Sequence, residues 1–340
     1  MPTLYDVAKL AGVSPKTVSR VLNKEPSVSE PTKQRVLDAI QALDYHPNAI
    51  ATSLKKLRSN IIGYIVPYGS RFVFQDPNMM EQLRGAHDVL TQEGYEILVS
   101  APIYRKDALR ETERLVKNRN VDGVIIYPTA GVERIISEFK LKTFFYVTLG
   151  RCFPEQRTNF VDLDLTPGAY LATKHLIDQG HRRIALINKP QSFFIFNLDD
   201  IFEGYRSALE EANIPVQSSL VMEGDFSFES GYRTFRQLWE KNIDLTAVIC
   251  ASDPMAYGAL KAVTDMNLKP GRDVEVIAGD NLPLIQKIYP DISSIHSLGY
   301  EQGRQAGKMI IANIKSGQEL EGVRLKAQFV PRFQTAEPVY

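Results

Sequence analysis

The stretch from Thr3 to Asn23, TLYDVAKLAGVSPKTVSRVLN, limits what this chain can fold into more than any other. Its pattern predicts two short helices around a tight turn. Thr3 can cap the first helix, and Asp6, three residues on, can answer it as a capping box. Leu4, Val7, Ala8 and Ala11 share one helical face at i, i+3, i+4, i+7 spacing. Gly12 ends that helix, because a glycine just past the last periodic residue accepts the left-handed backbone of a helix stop. Val13 packs in the turn. Ser14 caps the second helix, and Pro15 takes its first position, where no N–H is needed. Val18, Val21 and Leu22 then point inward and leave Lys16, Thr17, Ser19, Arg20 and Asn23 outside. A plain helical hairpin with a solvated face would look similar, but a polar and cationic helix face braced by an apolar partner is also what a major-groove reader needs.

A polar loop follows, and Ser29 caps a third helix running through Pro31 to about Leu43, with Val36, Leu37, Ile40 and Leu43 as its inward face. Three such helices make a core too small to be very stable alone. Tyr45-His46-Pro47-Asn48 breaks the third helix, and Asn48 can cap the short segment AIATSLKKL. Helices of that length are marginal in water, so this one should order only when something holds it.

The whole string resembles the opening of the LacI/GalR family of bacterial transcription regulators, whose pattern is DVAxxAGVSxxTVSRVLN. The resemblance implies a dimeric, sequence-specific DNA-binding regulator, a repressor, acting on double-stranded operator DNA. On it, Lys16, Thr17 and Arg20 read base edges, while Tyr5, Ser14, Ser19, Asn23, Thr32 and Asn48 hold phosphates. Leu4, Pro15, Ser29, Tyr45 and Lys55 complete the DNA-facing set. The segment after Asn48 matches the family's hinge helix, two of which pair in the minor groove, and Leu54 matches the leucine that wedges between base pairs. Thr52 stands where many members carry arginine.

The rest of the chain has a different texture. The formal net charge is zero, but residues 1–60 hold nine Lys and Arg against five Asp and Glu, and the remainder holds 31 against 35. A basic head on a slightly acidic body suits an N-terminal nucleic-acid module. The two cysteines, Cys152 and Cys250, make no disulfide framework and no metal motif, which suits a reducing cytoplasm. No apolar run reaches the roughly 18 residues of a membrane span, and the N-terminus is not a signal peptide. From Ile61 on, the apolar runs IIGYIV, YEILVS, VDGVIIY, TFFYVTL, RRIALIN, TAVICA and VEVIAG alternate with helical patterns near 78–93, 107–118, 132–139, 166–179, 200–212, 229–241, 254–266 and 299–316. Apolar runs without alternation suit strands buried on both faces, and strand–helix order argues parallel sheets, too many for one, so an α/β body of two doubly wound lobes. The resemblance implies the same: a periplasmic-binding-protein-like core, with three crossovers between lobes. The expected organisation is a helix-turn-helix head at 1–46, a hinge and linker at 47–60, and a body at 61–340. Within the body, the first lobe takes 61–163 and 293–326, the second 164–292 and 327–340.

Catalytic motifs, phosphate loops, dinucleotide fingerprints and metal motifs are absent from the sequence. Gly180-His181-Arg182-Arg183 reads as a helix C-terminus, and Cys152 has no histidine nearby in sequence. No enzyme and no cofactor is expected. Open α/β sheets instead bind ligands beyond the carboxyl ends of their strands. There the chain places Tyr68, Phe72 and Phe74, then Thr148 and Arg151, Phe226, Ser252 and Asp253, and Asp280. Carboxylates and aromatic faces suit a polyhydroxylated ligand, although Asp253 and Asp280 could equally serve their own turns. The resemblance makes Asp280 and Phe226 contacts of a small-molecule effector, a sugar or sugar derivative. Family members carry an arginine where this chain has Ile201, beside Asp199 and Asp200; Arg71 or Arg151 could restore a positive group. That departure keeps open a regulator answering to a protein partner; a ligand-binding protein with a vestigial head is the remaining rival. The expected assembly is a homodimer or a tetramer, away from any membrane.

Overall fold

The computed structural model describes residues 2–22, 25–45, 59–66, 76–102, 108–118, 120–128, 132–141, 144–153, 155–190, 200–241 and 244–332. Asn23, Asn48, Leu54, Lys55, Tyr68, Phe72 and Phe74 lie outside the described residues. Packing divides the chain into Met1–Ser59 and Asn60–Tyr340.

In the first unit, α1 (Leu4–Ala11), α2 (Pro15–Leu22) and α3 (Glu30–Ala42) form as the local chemistry requires. The Asp6 N–H donates to the Thr3 hydroxyl while the Asp6 carboxylate accepts from the Thr3 N–H at 2.7 Å, a complete capping box. Gly12 closes α1 at φ 64°. The Ser14 hydroxyl accepts from the Thr17 N–H at 3.1 Å. The third cap differs from expectation: Ser29 occupies the cap position, but its hydroxyl donates to the Thr32 hydroxyl at 3.0 Å and leaves the helix N–H groups alone. The core gathers Val7, Ala8, Ala11, Val18, Val21, Val36 and Ala39. Leu37, expected inside, is exposed, because Val36, Ala39, Ile40 and Leu43 already make the inward stripe and Leu37 sits a third of a turn away from it.

In the second unit the apolar runs become parallel strands. Among the described residues β1 (Ile61–Ile65), β2 (Glu96–Ser100), β3 (Gly123–Ile126), β4 (Phe145–Leu149), β5 (Phe160–Asp164) and β11 (Val323–Lys326) make one sheet in the order β11-β5-β4-β3-β1-β2. The strands β6 (Ile184–Asn188), β7 (Val221–Glu223), β8 (Ala247–Cys250) and β9 (Glu275–Ile277) make a second, in the order β7-β6-β8-β9. A short antiparallel pair, β10 (Ser294–His296) and β12 (Gln328–Val330), completes the set. Residues of β3, β6 and β8 are buried throughout, as runs covered on both faces must be. β2 departs from that reading: it is the sheet edge, and Val99 is exposed.

Around the first sheet lie α4 (Pro77–Gln92), α5 (Ala108–Lys117), α6 (Val132–Leu141) and α12 (Gly299–Ser316); around the second lie α7 (Thr166–Asp178), α8 (Asp200–Glu211), α9 (Phe228–Lys241), α10 (Asp253–Asp265) and α11 (Pro283–Ile288). The chain crosses between sheets after β5, returns between β10 and α12, and crosses again from β11 to β12. Each sheet therefore has its own apolar core, and the segments following the strands are brought toward one another.

Candidate functional site

The head presents a polar and cationic face on α2. Lys16 is exposed, and Thr17, Ser19 and Arg20 are half-buried at the rim. The Arg20 guanidinium lies 3.6 Å from the Glu25 carboxylate, with both side chains more than 40% exposed (42% and 48%). An exposed pair of this kind contributes at most about 1 kcal/mol, so Arg20 can exchange Glu25 for a stronger partner. The Thr17 and Ser14 hydroxyls lie 2.9 Å apart, which orients Thr17 at the first turn of α2. Tyr5 is 73% exposed and stands clear of the core. Ser14, Ser29 and Thr32 lie at helix starts, where backbone N–H groups also point outward, and Pro15 opens α2. Leu4 packs partly against the core. Tyr45, expected at the DNA face, is instead a core residue at 9% exposure; a core built mainly of valine and alanine leaves room for one large ring.

The body brings together the segments after its strands. Asp280 follows β9 and Asp253 follows β8, and the two are interlocked. The Asp253 carboxylate accepts from the N–H groups of Asp280 (2.9 Å), Asn281 (3.2 Å) and Leu282 (2.7 Å), and the Asp280 carboxylate accepts from the Asp253 N–H at 3.0 Å. Helix α10 is capped by Ser252, whose hydroxyl accepts from the Met255 N–H, and not by Asp253. Asp76 follows β1 on the other sheet and caps α4 through the N–H groups of Asn78 and Met79. The Ser297 hydroxyl donates to the Asn78 side-chain oxygen at 3.0 Å and joins the loop before α12 to α4. Burial pushes the Asp280 carboxyl well up, and the neighbouring Asp253 and Asp76 carboxylates push it further. Burial also raises Asp253, against its three backbone donors and the nearby Arg332 guanidinium. Arg332 donates to the Asn281 side-chain oxygen at 2.6 Å and to the Ile292 carbonyl at 2.7 Å.

A second charged group gathers around β5. Arg151 pairs with Asp162 at 3.3 Å, and Arg324 reaches Asp162 at 3.4 Å and Asp164 at 3.6 Å. Asp200, at the start of α8, is raised by burial and lowered by Lys189, and the Asp162 and Asp164 charges reach it from the other sheet. Phe226 is half-buried with a left-handed backbone, φ 67°, after Asp225, whose carboxylate accepts from the N–H and hydroxyl of Ser227. Thr148 is fully buried, and its hydroxyl accepts from Gln156 at 3.1 Å, within its own lobe. Ile201, where family members carry arginine, is 1% exposed inside the second-lobe core. Asp76 was missing from the expected set, although it had a local signal, an aspartate before the proline that opens a helix.

Cys152 is buried, which pushes its thiol up to about 12 and keeps it protonated. The His181 ring nitrogen lies 2.9 Å from the Thr246 hydroxyl, at the opposite end of β8 from Asp253. Among the described residues no group of His, Cys, Asp or Glu could hold a metal ion, and no helix is long and apolar enough to cross a membrane.

Known proteins share both parts. Residues 3–48 match the family described as bacterial regulatory proteins, lacI family, and residues 173–333 match a periplasmic binding protein-like domain. The HTH-type transcriptional repressor PurR of Mannheimia succiniciproducens is 32% identical over 325 residues, 92% of each chain. Catabolite control protein A of Priestia megaterium is 30% identical over 308 residues, 91% of each. Among solved structures, a complex of the transcriptional regulator CelR with cellobiose superposes with a TM-score of 0.72 at 29% identity, over 98% of this chain and 99% of that one. The lac repressor dimer bound to operator and the anti-inducer ONPF superposes with a TM-score of 0.82 at 26% identity, over 97% and 98%.

Proposed function

The chain belongs to the LacI family of bacterial regulatory proteins, and on that premise we propose that it is a cytoplasmic homodimer whose operator binding is set by a sugar or sugar derivative held between its two lobes. It is a DNA-binding transcription regulator, a repressor, of helix-turn-helix type. Lys16, Thr17 and Arg20 read base edges in the major groove, and Tyr5, Ser14, Ser19 and Thr32 position the head on phosphates. Leu54 is the minor-groove wedge of the hinge at 47–60. In the body, Asp280 and Phe226 meet the ligand, one as an acceptor for hydroxyl groups and the other as an apolar face. The ligand favours one arrangement of the lobes and thereby decides whether the hinges order on DNA.

The observation that carries this reading is the meeting of both lobes at Asp280: it follows β9, the charge of Asp76, which caps α4 beside the other sheet, acts on it, and Ser297 donates to Asn78 of that helix at 3.0 Å. A ligand bridging two lobes needs polar groups from both at one place, and this is such a place. The test has two arms. Operator sequences are first selected in vitro from random duplexes with the full chain. Thermal shift against a sugar panel that includes cellobiose and ribose then finds the ligand, since a tight ligand raises the melting temperature by mass action. A sugar that stabilises the protein and changes its affinity for the selected duplex supports the proposal. A panel with no stabilising sugar, or a stabilising sugar that leaves DNA affinity unchanged, sinks it.

A further inference from the structure

We infer that Asp253 is a positioning residue of the cleft: it fixes the loop Asp280–Leu282 and with it the Asp280 carboxyl, and does not itself face the ligand. This rests on the reading that the cleft takes the effector, and it assigns Asp253 a different role from contact with that ligand. β8 and β9 are parallel neighbours with Ile249 beside Ile277, and each is followed three residues later by an aspartate. The two loops are pressed together, since a β-carbon on Gly279 would lie 2.3 Å from the Ala251 carbonyl carbon. Asp253 is 0% exposed, and its carboxylate serves three consecutive backbone N–H groups: one oxygen takes Asp280 and Asn281, the other takes Leu282.

Three successive N–H groups turned to one side form a concave site for an anion, and here the anion is the protein's own side chain. The loop needs it. Asn281 has φ 61°, a conformation that a non-glycine residue keeps only where its surroundings hold it. The Asp253 N–H returns a bond to Asp280 and so aims that carboxyl from its own end. No oxygen of Asp253 is left to reach open space.

Single-residue hydrogen exchange on the full chain, without any ligand, tests this. In Asp253→Ala the amides of Asp280, Asn281 and Leu282 are expected to exchange at least tenfold faster, with β6 and β8 as protected as before. Asp253→Asn carries one acceptor oxygen and one NH2 group. It can keep the two bonds to Asp280 and Asn281 while its NH2 faces the Leu282 N–H, so Leu282 alone should speed up. Unchanged exchange at all three amides overturns the inference. So does an equal loss of protection across β6, β8 and β9, which would make Asp253 a general stabiliser. If Asp253→Ala does not fold, Asp253→Asn decides by the same readout. Absence of a stabilising sugar would count against the effector reading alone, because the exchange measurement uses none.

Discussion

At the scale of single residues, two side chains carry separable predictions. Arg20 stands at the rim of α2 with only an exposed partner, Glu25, so its guanidinium can engage guanine O6 and N7 at little cost. Arg20→Ala is expected to weaken binding to the selected operator by about 1–3 kcal/mol and to relax preference at one base pair per half-site. Anisotropy titrations against single-base operator variants check this, and an unchanged preference would remove Arg20 from the reading set. Glu275, at the start of β9, makes a statement about stability instead. It is 7% exposed, and burial raises its carboxyl from 4.5 to about 7. Below pH 4.5 the group is protonated in folded and unfolded chains alike and takes nothing from stability. Between 4.5 and about 7 the unfolded chain releases a proton that the folded chain keeps, so stability falls as pH rises through that window. A shift of this size corresponds to roughly 3 kcal/mol. Glu275→Gln should therefore match the wild-type chain near pH 4.5 and exceed it by pH 8 in urea titrations; a constant difference at both pH values would show that burial is not the cause. Individual site residues were legible to different degrees. Asp280 could be placed because a buried apolar run ends just before it. The partners of Asp253 could not, since they lie 27 to 29 positions away and are backbone groups. Tyr45 misled because position along a motif does not say whether a ring turns inward.

At the scale of elements, packing between helices sets what a glycine is for. A β-carbon on Gly231 in α9 would sit 2.1 Å from the Met255 carbonyl oxygen and 2.6 Å from its Cα, both backbone atoms of α10. Neither can swing aside, so the helices must part. Gly12 differs: nothing lies within 4 Å of its added carbon, and only its φ of 64° opposes substitution. Alanine at Gly12 should cost about 1–2 kcal/mol, the price of a left-handed residue. Alanine at Gly231 gains roughly 1 kcal/mol of helix propensity and still should lose about 3 kcal/mol or more, because overpacking against backbone exceeds that gain. Urea denaturation of both variants orders them; a Gly231→Ala chain as stable as the wild type would mean that α9 and α10 can slide. The same contrast between local and tertiary causes explains which elements could be read beforehand. Long amphipathic helices and the apolar runs of β1, β3, β4, β6 and β8 announce themselves, because period and burial agree. β5, with sequence FVDLD, β11, with VRLK, and the three-residue β7, β10 and β12 do not, being short, partly polar and held by neighbours distant in sequence. Six-residue α11 is too brief for any period to show.

At the scale of the whole molecule, the two units differ in what holds them. The head's buried apolar residues are Val7, Ala8, Ala11, Val18, Val21, Val36, Ala39 and Tyr45, mostly small side chains. The body has separate cores on its two sheets, far larger, in which alanines are joined by many isoleucine and leucine side chains. Burial per residue rises with chain size, so a unit of Met1–Ser59 starts at a disadvantage against one of Asn60–Tyr340. Native stability averages roughly 0.05–0.15 kcal/mol per residue, which leaves the head only a few kcal/mol. Calorimetry of the DNA-free chain should therefore resolve two transitions, the head melting first. Unfolding enthalpy is about 0.7 kcal/mol per residue near 60 °C, so the head's peak should be a small fraction of the body's. Ligands then act as labels, because each raises only the transition of the unit it binds. Selected operator duplex should move the small first peak upward. A stabilising sugar, added without DNA, should move the second and leave the first in place, since its contacts all lie in the body. Only with both present can the peaks respond to one another, and the size of that response measures the coupling free energy between the sites. A single transition that shifts equally with duplex and with sugar would show that head and body unfold as one cooperative block, and the head's small core would not then set a melting point of its own.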